Sequence, residues 1–231
     1  FKNTILYYSL KFWLTLKTAK NTFLPLKWYI YIELLETTKL AYLKLKVIFQ
    51  LVIVFTFISC TKTNTCAIET SEGIILIELY PEKAPITVAN FLKYVDEGLY
   101  TNSSFFRVTT PENEVNREIK IEVIQGGNVE DGKEFPPIEI ETTDKTGIKH
   151  INGAISMARG GVNTATSSFF ICINAQPELD FEGKRNPDGY GFAAFGKVIK
   201  GMEIVSKIQS GENKDQRLLN PIVIISITRI N

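Results

Sequence analysis

From Ala67 to the last residue, the chain is divided into apolar runs too short for ordinary helices, with turn residues between them. Ala67–Thr70 and Ile74–Tyr80 flank Ser71-Glu72-Gly73 and read as a hairpin. Further strand candidates are Ser104–Val108, Ile121–Gln125, Ala154–Ala158, Phe169–Ile173 and Phe192–Ile199. In a last one, Val223, Ile225 and Ile227 alternate with Ser226 and Thr228. Only two stretches show helical spacing. One is Val88, Phe91, Leu92, Val95 and Leu99, with Pro85 ahead and Gly98 near the end. The other is Gly201 to Ile208, with Ile204, Val205 and Ile208 on one side. About eight short strands with turn signals between them predict a barrel or a sandwich, and the lack of strand–helix alternation argues against a doubly wound sheet.

The net charge of +1 hides an asymmetry. Residues 1–59 carry eight lysines against two glutamates, a net of +6, whereas residues 60–231 carry 18 basic and 23 acidic residues, a net of −5. A mildly acidic C-terminal part is a poor surface for phosphates, so nucleic acid is not an expected partner. Three cysteines and one histidine are too few for a disulfide framework or an ordinary Cys/His zinc site. No metal or cofactor is expected.

The N-terminal part reads as an address. Residues 1–38 have no repeated pattern and are expected to be a non-native extension. Lys39, Lys44 and Lys46 then form a positive segment ahead of the apolar run Val47–Ser59, and Cys60 follows at once. This is the layout of a secretory signal peptide. The small Ser59 before Cys60 is similar to a bacterial lipoprotein signal, although Phe57 stands where that signal usually has Leu. The expected organisation is a non-native extension and/or signal peptide over 1–59, a tether over 60–66 and a folded domain over 67–231. Lipidation at Cys60 would make the protein a membrane-anchored lipoprotein on the periplasmic side of a bacterial envelope. An uncleaved anchor is the alternative, though the run is short for a bilayer span of about 20 residues.

The strand candidates carry five motifs that resemble the cyclophilin family of peptidyl-prolyl cis-trans isomerases. They are "EGIILIELYPEKAPITVANFLKYVDEGLY", "SSFFRV", "IQGG", "GAISMARGGVNTATSSFFICI" and "GFAAFGKVIKGMEIV", in the family's order. The resemblance implies a mainly β fold, a closed eight-stranded antiparallel barrel capped by two α-helices. It implies an enzyme that accelerates rotation about X–Pro bonds in proline-containing peptides and unfolded clients; the N-terminal address makes those clients exported proteins, and a monomer is expected. Arg107 and Gln125 take the catalytic positions. Met157 and Phe170 would build the proline pocket, with Leu179 on its rim and Ala158 and Arg159 along the groove.

Several positions depart from the family's pattern. Glu122 and Val123 stand where many members have Phe and Met. Ser168 stands for Gln, Glu178 for Trp or Phe, and Phe192 for His. The pocket thus loses an aromatic wall near Val123 unless another residue replaces it. These changes keep open a non-catalytic, cyclophilin-like scaffold. A small-molecule carrier ranks lower, because bulky strand residues would fill a barrel of this size. The stretch Glu112–Glu122 is expected to be a solvated loop. Phe169 is expected in the core, and His150 in a structural role.

Overall fold

The computed structural model describes residues 64–230. The run Val47–Ser59 and Cys60 therefore lie outside the described residues. The described residues contain nine strands: β1 (Thr65–Thr70), β2 (Gly73–Leu79), β3 (Ser103–Thr109), β4 (Val123–Gly126), β5 (Ala154–Met157), β6 (Phe169–Cys172), β7 (Ala193–Lys200), β8 (Asn213–Lys214) and β9 (Arg217–Ile230). Their spatial order is β1-β2-β7-β5-β6-β4-β3-β9, and β9 pairs back onto β1. The two-residue β8 is only a spur on β9. The result is a closed eight-stranded antiparallel barrel, in which closure removes the free edges a sheet would otherwise present.

The helices are α1 (Pro85–Asp96), the single turn α2 (Thr143–Thr146) and α3 (Met202–Gln209). Pro85 opens α1, where its missing N–H costs nothing. Val88, Phe91, Tyr94 and Val95 form the buried face of α1. The barrel interior is filled by Ile68, Ile75, Ile77, Phe105, Ile155, Phe169, Ile171 and Phe195, each 0% exposed. Phe91 from α1 meets Phe169 at 5.6 Å and Phe195 at 5.2 Å between ring centres. Close packing of this kind leaves the interior no room for a small-molecule cargo.

Three details differ from the sequence expectation. Strand β1 begins at Thr65, so Thr65 and Cys66 belong to the barrel and not to the tether. Cys66 is buried, and burial pushes its thiol pKa up to about 11, which leaves it inert. Second, β9 runs 14 residues, because it pairs in turn with β8, β3 and β1. Third, the short α2 adds to the two expected helices; a one-turn helix has too few residues to show a period.

The "IQGG" turn has a steric origin. Gly127 sits at φ +77°, and a Cβ there would lie 2.4 Å from Phe169 Cε1. A Cβ on Gly126 would lie 2.7 Å from both the Phe105 ring and the Ser104 carbonyl. Both glycines let β4 approach β3 and the aromatic core at the end that carries Gln125.

Candidate active site

The site is a row of residues set by strand register. Arg107 on β3 pairs with Gln125 on β4, Gln125 with Phe170 on β6, and Phe170 with Ser156 on β5. These side chains share the outer face of the barrel. Their neighbours Ile124, Phe169, Ile155 and Met157 point into the main core. Strict alternation would put Arg107 on the same inward face as Phe105. A bulge at Phe106 prevents that: Phe105 pairs with Gly126 and Arg107 with Gln125, so two steps on β3 match one on β4. The extra residue turns Arg107 outward, and Val108 fills the core in its place.

Arg107 is half-buried and held on three N–H groups. Nη1 donates to Gln125 Oε1 at 2.8 Å. Nε at 3.0 Å and Nη2 at 2.6 Å both donate to Gln216 Oε1. Of the five donors of a guanidinium, one on Nη1 and one on Nη2 remain for a substrate. Burial pushes the Arg107 pKa below its usual value; Arg185 adds to this, Glu114 opposes it, and Arg217 and Arg117 push the same way. The group stays cationic at neutral pH and is a stronger hydrogen-bond donor for being more acidic.

Beside the guanidinium lies a second apolar cluster of Ile121, Val123, Ala154, Phe170, Cys172 and Leu179, with Ala158 and Phe192 packed on it. Phe192 adds a second aromatic ring to this cluster. Phe192 stands edge-on to Phe170, 5.3 Å between centres and 88° between planes. The Arg159 guanidinium lies 5.2 Å over the Phe192 ring. It is fixed there by a two-point ion pair with Asp188 at 2.7 and 2.8 Å and by bonds to the Gly191 carbonyl.

Some expected roles move. Met157 is not beside Phe170: it pairs with Phe169 and shares that residue's inward face in the main core. Leu179 is not on a rim; it is 0% exposed and is a buried member of the cluster. The Arg159 side chain is committed to Asp188 and Phe192. Ser168 is half-buried, with its carbonyl accepting from Ala158 N at 2.8 Å. Glu114, within the stretch expected to be solvated, is buried and ion-paired with Arg185.

Behind Phe170 lies a polar group that sequence reasoning did not assemble. The His150 ring stacks on Phe170 at 6.0 Å and 14°. Its Nδ1 is 2.8 Å from Asp180 Oδ1 and its Nε2 is 3.0 Å from Ser156 Oγ. The spacing is that of a nucleophilic triad, but Ser156 is 0% exposed and His150 1%, so no acyl group can reach the hydroxyl. Burial pushes the His150 pKa down despite the carboxylate. Burial also acts to raise the Asp180 carboxyl, yet donation from the His150 ring and backbone N–H holds it below the usual range. The consistent state is a neutral imidazole donating to an ionised Asp180 and accepting from Ser156.

Residues 65–229 match the model of the cyclophilin type peptidyl-prolyl cis-trans isomerase/CLD family. Peptidyl-prolyl cis-trans isomerase A of Dickeya dadantii is 35% identical over 164 residues, covering 69% of this chain and 77% of that protein. Peptidyl-prolyl cis-trans isomerase B of Escherichia coli is 36% identical over 143 residues, covering 61% and 80%. A crystal structure of a Cryptosporidium parvum cyclophilin type isomerase, obtained in the presence of the dipeptide Ala-Pro, superposes with a TM-score of 0.56 at 24% identity. That superposition covers 72% of this chain and 99% of that one. The chain belongs to the cyclophilin-type peptidyl-prolyl cis-trans isomerases. Its activity is that of a rotamase, which interconverts the cis and trans forms of X–Pro bonds.

The buried His150 makes stability depend on pH. The unfolded chain takes up a proton on this residue near pH 6.5, whereas the folded chain does so only at lower pH. Below about pH 6.5 the unfolded state therefore binds more protons, and stability falls with a slope of up to about 1.4 kcal/mol per pH unit. Above that pH the contribution is fully present. Urea melts between pH 7.5 and 5.5 should show this loss, and His150→Gln should flatten it. Equal slopes in the two proteins would contradict the neutral assignment.

Proposed function

We propose that Arg107 accelerates X–Pro rotation by donating to the prolyl nitrogen as the amide twists, while Phe170 and Phe192 hold the ring. A planar amide resists rotation by about 18–20 kcal/mol because its C–N bond has partial double-bond character. No covalent bond breaks during the rotation, so the protein has only to bind the twisted amide better than the planar one. As conjugation is lost, the nitrogen lone pair becomes a hydrogen-bond acceptor, and Arg107 has two N–H groups left to meet it. The observation that carries this reading is the three-point fixation of the guanidinium beside the Phe170 cluster. Gln125 spends its Oε1 on Arg107, which leaves its Nε2 to donate to a substrate carbonyl.

The apolar faces do the remaining work by desolvating the imide. Phe170 forms the floor, in one cluster with Val123 and Leu179, and Phe192 is the wall at 88° to it. Ala158 and Ser168 border the groove, where an extended peptide can lie. The intact Arg107–Gln125 pair and the wall at Phe192 support a catalytic domain over a mere scaffold.

The site of action is outside the cytoplasm, on exported clients, with the barrel tethered through a lipidated Cys60. What supports this is the order of lysines, apolar run and Ser59-Cys60 in the sequence. The barrel itself starts at Thr65, a few residues beyond that cysteine. Among the described residues no helix is long and apolar enough to cross a membrane.

Two outcomes are expected. Arg107→Ala should lower kcat/KM for an Ala-Pro peptide in a protease-coupled assay by about ten- to a hundredfold, the worth of one charge-assisted hydrogen bond, with an unchanged circular-dichroism spectrum. Unchanged turnover would remove Arg107 from the mechanism. Mass spectrometry of the protein isolated from membranes should find a diacylglyceryl group on an N-terminal Cys60. An unmodified chain running through Val47–Ser59 would end the tether proposal.

A further inference from the structure

The turn that joins β8 to β9 has two non-glycine residues in the left-handed region, Asp215 at φ 51° and Gln216 at φ 72°. A two-residue hairpin of this kind ordinarily takes Asn-Gly, because side chains are disfavoured there. Strain kept at a position next to a working group calls for a reason. The reason is visible in what Gln216 touches. Its carbonyl accepts from Val108 N at 2.9 Å, which docks the turn on β3 just past Arg107. Its side-chain Oε1 takes both the Nε and the Nη2 of Arg107. Its Nε2 is 3.5 Å from Glu114 Oε1.

Glu114 is itself fixed. Its side chain is 0% exposed, and Arg185 grips both carboxylate oxygens. Ile121 N also donates to Oε2 at 2.8 Å. The acceptor at Glu114 requires the amide of Gln216 to turn its NH2 inward, which leaves the amide oxygen facing Arg107. The order of groups is Arg185, Glu114, Gln216, Arg107, with donors and acceptors alternating along it. Three loops meet in this chain: Thr109–Lys120, Asp180–Gly191 and the β8–β9 turn.

We propose that Gln216 is a positioning residue for the isomerase reaction, holding the plane of the Arg107 guanidinium by an amide whose orientation Glu114 sets. This rests on the reading of Arg107 as the group that meets the prolyl nitrogen. Gln125 alone grips one Nη and leaves the guanidinium free to turn about that single bond. Gln216 holds the opposite edge and removes that freedom. The two unused N–H groups, one on Nη1 and one on Nη2, are then held in a fixed plane, which is what a transition-state donor needs.

Gln216→Gly in the full chain separates position from structure. Glycine relieves the left-handed strain, so the melting temperature should hold or rise. At the same time kcat for an Ala-Pro peptide should fall about tenfold, with KM within about twofold. Gln216→Ala should give the same kinetic loss with no gain in melting temperature. In an Arg107→Ala background, Gln216→Gly should cost nothing further. A Gln216→Gly enzyme with wild-type kcat would overturn the proposal, as would an undiminished loss in the Arg107→Ala background. If Arg107→Ala by itself leaves kcat unchanged, the reading of Arg107 has failed instead, and an effect of Gln216→Gly would then belong to Gln216 directly.

Discussion

A single guanidinium, half-buried and clamped on both edges by glutamine oxygens, sets the demands that the rest of the barrel meets. Arg107 carries its charge away from bulk water, and burial together with neighbouring arginines makes that costly. The structure offsets the cost with three hydrogen bonds and the nearby Glu114. The bulge at Phe106 is equally necessary. Without it, alternation would send the arginine into a core already occupied by Phe105, Phe169 and Phe195.

The apolar side of the site shows how one surface can be rebuilt from different residues. Val123 offers no aromatic ring here, and the second ring beside Phe170 comes from Phe192. Phe192 needs support because it comes from the end of a long loop rather than from a strand. Arg159 provides it, stacked on the ring and locked to Asp188. The neutral His150 lies flat against the Phe170 ring and is itself held by Asp180 and Ser156. Phe170 is thus in contact with two rings, the imidazole of His150 and the phenyl ring of Phe192.

Much of the fold was legible because strand alternation is a local signal. The split between Phe169 inside and Phe170 outside follows from a period of two. Met157 was misplaced for a related reason: its family motif names a residue, but only its pairing with Phe169 fixes the face it occupies. Arg107 and Gln125 were found through the motifs around them. Gln216, Glu114 and Arg185 were not, because nothing in a polar loop with Glu112, Glu114, Glu118 and Glu122 distinguishes the one that becomes buried. Their meeting is a product of loop packing across more than 60 residues of sequence, and hydrophobic periodicity carries no trace of it.

The central question is whether a fixed fork, and not simply a positive charge, speeds the rotation. Arg107→Lys separates the two, since lysine keeps the charge but cannot be gripped on two edges. The decisive measurement is the cis–trans exchange rate of an enzyme-bound Ala-Pro peptide, read by NMR at saturating enzyme alongside its dissociation constant. The account predicts a bound-state exchange rate at least about tenfold slower in Arg107→Lys with affinity little altered. An exchange rate equal to that of the wild type would show that charge alone suffices and that the clamped geometry is incidental.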